Sequence, residues 1–273
     1  MKTLLIPTDF SPIAREALYY ALEFTHNEPT RVILLHVFDV DYTFGLAISN
    51  RIRDDEGIKL EQLESLRQTL QDNDDYKHIK FEIMLHTGSL TYIARDVAER
   101  NKIDYIVMGT KGETDANNRI FGSETAKLIH QSEVPVLSVP RGSHLKGLKN
   151  ILYATDYRER DLTIIGDLVE IARKFGATLH IVHVNKESGL DTQMRYRGFK
   201  DIVNEQYTYE HITHQLIITE KLLEGLNDYV TLHEQALLCM CYYKKSFFQS
   251  LFKDSKAEDM AYMSKAPLLV FRA

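Results

Sequence analysis

At 273 residues, with 44% hydrophobic and 26% charged residues, the chain has the makeup of an ordinary globular protein with room for two domains, which excludes a disordered or fibrous reading. Its formal net charge is −6, and cutting after Lys146 leaves 17 basic against 22 acidic residues before the cut and 16 against 17 after it, so neither half has the basic surplus of a nucleic-acid binder. No apolar run approaches the ~20 residues of a membrane span, and the stretch from Lys2 to Pro7 is too short for the core of a secretion signal. Cys239 and Cys241 are too close to staple a fold and read as small core residues in a reducing compartment, so a cytoplasmic protein is expected.

The first apolar strand, Thr3 to Ile6, stops at Pro7-Thr8-Asp9, and Ser11-Pro12 offers an N-cap with proline at the first helical position. The helix that follows carries Ala14, Ala17, Leu18, Ala21 and Leu22 on one face and ends near His26-Asn27. A second strand, Arg31 to Phe38, leads through a polar loop to a charged helix from about Arg53 to Gln71, with Ile58, Leu63, Leu66 and Leu70 as its buried stripe. A third strand spans Lys80 to Leu85, and Gly88-Ser89 caps a helix carrying Ile93, Val97 and Ala98. The apolar run Ile103 to Met108 predicts a fourth strand, and Val134 to Val139 a fifth.

The fourth strand ends in the pattern that organises the chain: Gly109, two residues, Gly112, nine residues, Gly122, then Ser123 and Glu124. Glycine tolerates positive φ and close backbone approach. Ser123 is placed to cap a helix whose unpaired N–H groups and dipole favour an anion. The alternative is that these glycines only punctuate a loop. The spacing is neither a Walker A loop nor the Rossmann fingerprint. It resembles the nucleotide-binding motif of the ATP-binding universal stress proteins.

Alternating strands and helices argue for a doubly wound parallel α/β sheet, in which ligands bind at the carboxyl ends of the strands where the winding reverses. The resemblance implies five strands in order 3-2-1-4-5, so that Pro7-Thr8-Asp9 and Gly109-Thr-Lys-Gly112 face one crevice. It further implies adenine against Pro7 and the backbone around Val37, with ribose near Asp9 and Gly109. The phosphates would lie along Gly112, Gly122 and Ser123, accompanied by Mg²⁺ or Mn²⁺, with Thr8, Met108, Lys111 and Glu124 counted among the residues of the nucleotide site. Asp9 alternatively caps its own turn.

After Lys146-Gly147 the pattern begins again. Asn150 to Asp156 repeats Thr3 to Asp9 at an offset of 147, as His183-Val184 repeats His36-Val37, whereas Ala266 to Phe271 answers Val134 to Val139 at an offset of 132. Two tandem domains are expected, residues 1–143 and 148–273, the second shortened between its second and third strands. At the offset of 132, Gly109, Gly112 and Gly122 become Cys241, Lys244 and Asp254, so the second copy reads as degenerate.

Three functions follow from this reading: an ATP-binding stress or signalling protein in which nucleotide modulates contact with a protein partner, a slow ATPase or self-phosphorylating enzyme, and an interaction scaffold without nucleotide. No catalytic residue and no protein metal site is assigned. Lys111 and Arg119 are the nearest cations to the motif. His180 with His183, and His211 with His214, are three apart in strand-like segments, a spacing that turns the rings to opposite faces. The Arg195-Tyr-Arg-Gly-Phe-Lys200 run reads as a solvated loop or helix start. Last strands near Val136 and Leu269 are expected to pair as an intramolecular pseudo-dimer, with further homo-oligomers open.

Overall fold

Ser11 starts the first helix by accepting a hydrogen bond from the Ala14 amide on its hydroxyl, with Pro12 as the first helical residue. The computed structural model describes residues 1–38, 48–110, 123–143, 145, 147–243 and 266–273, with the backbone alone at 48–55, 123 and 222. In chain order the first half runs β1 (Lys2–Pro7), α1 (Pro12–Thr25), β2 (Thr30–Phe38), α2 (Ile48–Gln71), β3 (Ile79–Thr87), α3 (Leu90–Asn101), β4 (Tyr105–Gly109), α4 (Ser123–Gln131) and β5 (Val136–Val139). The second half repeats it as β6 (Asn150–Ala154), α5 (Glu159–Phe175), β7 (Thr178–Asn185), α6 (Leu190–Gln206), β8 (Ile212–Ile218), α7 (Leu222–Thr231), β9 (Ala236–Tyr242) and β10 (Leu268–Arg272).

The chain divides into two compact units, the first built from residues 1–110 and 123–138 and the second running from residue 139 onward. Strand order is β3-β2-β1-β4-β5 in the first half and β8-β7-β6-β9-β10 in the second, the 3-2-1-4-5 order twice over. Every pairing with a described register is parallel. Central strands are apolar without interruption, as strands covered on both faces must be: Leu4, Leu5, Ile6, Val32 to Leu35, Ile106 and Val107 are buried, as are Ile151 to Tyr153 and Leu237 to Cys241.

Strand register shows the duplication residue by residue. Leu4 pairs with Val32 and with Tyr105, and Ile151 pairs with Leu179 and with Leu237, which carries the 147 offset through two strands and the 132 offset into the fourth. The third strand stands at 131 instead, because Val32 pairs with Phe81 while Leu179 pairs with Ile212. Sixteen residues are therefore lost before β8 and one is regained after it. The links repeat too: Thr8 N–H donates to the Leu35 carbonyl and Thr155 N–H to that of Val182, and Ile106 N–H donates to Pro135 as Leu238 N–H does to Pro267.

Four local expectations are corrected. Ile58 is exposed, because Leu63 and Leu70 define the buried stripe of α2 and Ile58 stands about 140° away from Leu63 around a 3.6-residue helix. Ser89 sits at the N-cap of α3 but makes no side-chain cap bond. Ser123 is the first residue within α4, not a residue ahead of it. Arg195 to Lys200 lie inside α6, neither in a loop nor at a helix start. Cys239 and Cys241 are free, buried and both on β9, and burial holds both thiols well above their ordinary range, about 12 for Cys241, so they are inert core residues.

Candidate functional site

The winding of the first unit reverses between β1 and β4, and the residues beyond those strand ends form its crevice. Past β1 the chain turns sharply through Phe10, whose φ of 64° is left-handed. Three side chains hold that turn: Thr8 Oγ1 accepts from Phe10 N–H at 3.1 Å, Asp9 Oδ1 from Ser11 N–H at 3.0 Å, and Ser11 Oγ from Ala14 N–H at 3.2 Å. Asp9 thus caps its own turn, as an Asx residue does, while its carboxylate stays exposed. Pro7 and Thr8 are buried, and Val37 is partly exposed near the end of β2.

His36 was only a repeat marker in the sequence, yet it organises this end of the sheet. Its Nδ1 donates to the Thr8 carbonyl at 2.6 Å, a bond that fixes the ring tautomer, and Phe10 and Phe38 flank the ring at centroid distances of 4.9 and 6.2 Å. Its Nε2 is buried with no hydrogen-bond partner among the described residues. Lys59 of α2 lies over the Phe10 ring, 5.4 Å from its centroid. The signal that pointed to His36 was the recurrence of His-Val at an offset of 147. Nothing in the sequence pointed to Lys59.

On the β4 side, Met108 is buried and Gly109 ends the strand. A Cβ at Gly109 would stand 2.7 Å from the Ile13 carbonyl oxygen, so this glycine is needed for the backbone of α1 to close on β4, whatever binds above it. Thr125 of α4, itself buried, reaches the Gly109 carbonyl at 3.4 Å and lays the first turn of α4 beside the strand end. Glu124 is drawn towards α3 and along α4: its carboxylate accepts from Thr91 Oγ1 at 3.0 Å and Lys127 Nζ at 2.6 Å. Burial works to raise its pKa, but the bonds from Lys127 and Thr91 outweigh that and hold it below the usual range. Lys111, Gly112 and Gly122 lie outside the described residues, as does the side chain of Ser123. Thr8, Asp9, Met108, Gly109 and the start of α4 are thus assembled at one end of the sheet. Among the described residues no group of three or more His, Cys, Asp or Glu forms a metal site, and no helix is long and apolar enough to cross a membrane.

The sequence model of the universal stress protein family matches residues 1–140. The chain belongs to that family. Two universal stress proteins of Methanocaldococcus jannaschii, MJ0531 and MJ0577, are each 28% identical to it, over 145 and 158 residues; each alignment covers 51% of this chain, and 82% and 95% of those proteins. Over 99% of its length the chain superposes on the crystal structure of a universal stress protein from Archaeoglobus fulgidus, covering 96% of that chain with a TM-score of 0.78 at 18% identity, a likeness of fold.

The second half of this universal stress protein builds the corresponding crevice differently. Tyr157 takes the left-handed position of Phe10 with φ 58°, its N–H donates to Thr155 Oγ1 at 2.9 Å, and His183 Nδ1 donates to the Thr155 carbonyl at 2.7 Å, all as in the first copy. Asp161, which aligns with Ala14, has no counterpart. It is wholly buried, and its carboxylate accepts from Tyr153 Oη at 2.8 Å and Tyr243 Oη at 2.6 Å on one oxygen, and from Thr155 Oγ1 at 2.6 Å and the amides of Asp156 and Arg158 at 3.1 Å on the other. Burial and the Asp161 charge push both tyrosine hydroxyls far above their ordinary pKa, so they are donors at any ordinary pH. Asp156, aligned with Asp9, has its pKa raised by burial against the opposing pull of Arg158 and His183.

Proposed function

We propose that the first unit binds an adenine nucleotide, ATP with Mg²⁺ or Mn²⁺, at the carboxyl ends of β1 and β4, and that the occupied and empty forms differ in affinity for a protein partner in a stress or signalling response. The observation that carries this reading is the start of α4 held beside the end of β4 by Thr125, where helical amides and the dipole favour phosphate. Glu124 would otherwise oppose an anion there, and its bonds to Thr91 and Lys127 offset that charge. In the same reading Pro7, Thr8 and Val37 border the base, Asp9 and Met108-Gly109 the ribose, and Lys111, Gly112, Gly122 and Ser123 the phosphates.

The exposed Asp9 carboxylate keeps one oxygen beyond its turn bond and suits a ribose hydroxyl. A hard cation takes oxygen ligands, and with Glu124 committed to Lys127 and Thr91 it would be carried chiefly by the nucleotide's own phosphates. Nucleotide shifts partner binding only through unequal affinity for two forms of the protein, so its role is to bias an equilibrium, with hydrolysis at most slow. A reducing, cytoplasmic setting agrees with the two free thiols.

Calorimetric titration of ATP with Mg²⁺ into the intact chain, beside a Gly122→Glu variant, tests the reading. One site per chain, lost in the variant, is the expected result. No heat from a chain shown to be free of carried-over nucleotide would leave an interaction scaffold in its place.

A further inference from the structure

The carboxylate of Asp161 sits inside the turn after β6, at the strand ends where the winding of the second unit reverses. Two of its five donors are backbone amides of the turn after β6, on either side of the left-handed Tyr157, and successive amides around such a residue form a concavity that selects negative charge. Three are hydroxyls, and that of Tyr243 comes from beyond β9, on the far side of the reversal point. Asp161 also relieves Asp156 of a duty. In the first copy Ser11 N–H is satisfied by Asp9, but the aligned Arg158 N–H goes to Asp161.

We propose that the second unit carries its own anion: Asp161 occupies the anion position of that crevice, joins the β6 turn to the end of β9 through Tyr243, and thereby closes the crevice to phosphate. Beneath it lies a latent site for a small carboxylate. Arg158 reinforces the closure, its guanidinium carbon lying 4.2 Å from the centre of the Tyr243 ring. The first copy lacks the device, since Ala14 has no carboxylate to offer. The inference stands whether or not the first unit binds nucleotide.

Removing the carboxylate while leaving its donors makes an anion-shaped cavity. Asp161→Ala in the full chain, melted in chloride and in 100 mM formate and followed by circular dichroism, is the test. Loss of the partner of five donors, three of them buried hydroxyls, lowers the melting temperature of the second unit by roughly 10 °C, and formate replaces the missing group. At a dissociation constant of about 10 mM it returns about 4 °C to the variant and nothing to the wild type. Carbon-13 formate relaxation then shows a bound fraction in the variant alone. Asp161→Asn fills the same volume without the charge and should be destabilised and unresponsive to formate.

An Asp161→Ala chain as stable as wild type, equal formate responses in variant and wild type, or rescue of Asp161→Asn would each overturn the proposal. Should the alanine variant fail to fold in chloride, refolding yield replaces melting as the readout. Recovery specific to formate supports the internal anion, and equal yields in formate and chloride refute it.

Discussion

The two crevices share one backbone plan and solve its charge problem in opposite ways. In the first, one oxygen of the exposed Asp9 carboxylate caps its own turn, Ala14 is neutral, Gly109 lets α1 close on β4, and the amides at the start of α4 lie beside the strand end. In the second, Cys241 stands where Gly109 would, and a buried carboxylate gathers the donors around the reversal point. The turn after the first strand keeps its backbone plan in both copies, and in the second its Asp156 and Arg158 amides are met by the buried carboxylate of Asp161.

The largest difference to probe is steric. Gly109→Val places a Cβ 2.7 Å from a backbone oxygen of α1, a contact no rotamer relieves. Overpacking of this kind costs typically about 1–3 kcal/mol, and the branched side chain should reach the upper end. Urea unfolding of the first unit would show it. The reverse change, Cys241→Gly, deletes a buried side chain and should destabilise the second unit without opening it, because Asp161 and Tyr243 still close the crevice. Phosphate binding restored by Cys241→Gly alone would break the comparison.

Next is the tie itself. Tyr243→Phe removes a hydroxyl donating at 2.6 Å to a buried carboxylate and leaves the ring under Arg158 in place. Hydrogen bonds to charged groups contribute about 1.5–3 kcal/mol; with four donors remaining, the low end is expected, read as a lower denaturation midpoint with an unchanged m-value.

The units should also part company in acid. In the second, burial and the neighbouring His233 hold His180 down to about 4, and burial and Lys200 hold His214 down to about 4, against an ordinary value of 6.5. His180 is kept neutral by geometry as well, its ring nitrogens engaging Asn150 on one side and Tyr229 and Thr213 on the other. A group whose folded pKa is depressed gives stability that is present above its unfolded pKa and lost as pH falls towards the folded one, so these two histidines weaken the second unit between about pH 6.5 and 4. In the first unit, bonds from Arg31 and Lys80 hold Glu82 at about 2 instead of 4.5, and that contribution is lost only between about pH 4.5 and 2. Hydrogen exchange across pH 7 to 4 should therefore show the second unit opening first, and His180→Gln should reduce the gap.

Much of this plan was legible from residue patterns. Ser11-Pro12 specifies a helix start by local chemistry, and the repeated Thr-Asp and His-Val pairs fix two copies whose offsets the strand registers reproduce. What escaped was set by contacts distant in sequence. The resemblance set Gly109 beside a ribose, but the atom that demands a glycine there is the carbonyl of Ile13, 96 residues earlier. Asp161 was not singled out in the sequence; its partner Tyr243 is 82 residues away. One signal was available, since the first copy has alanine at the same place on the apolar face of its helix, and a carboxylate in that position must find donors. Ile58 was misphased because an apolar residue five positions from Leu63 lies off its face.

The smallest expected effect separates two ways in which α4 is held. Thr125 is buried and its hydroxyl lies 3.4 Å from the Gly109 carbonyl, near the outer limit for such a bond. Thr125→Val keeps the branched shape and loses only the hydroxyl, so stability should fall by no more than about 0.5 kcal/mol and nucleotide affinity by less than about threefold. Thr125→Ala removes a buried methyl as well and leaves a gap between helix and strand, for which about 1 kcal/mol is the expected cost. If packing holds the start of α4, only the alanine variant should weaken nucleotide binding. Equal loss in both would mean that the hydroxyl, long bond and all, orients the amides, and that the first crevice depends on a hydrogen bond at its reversal point much as the second does.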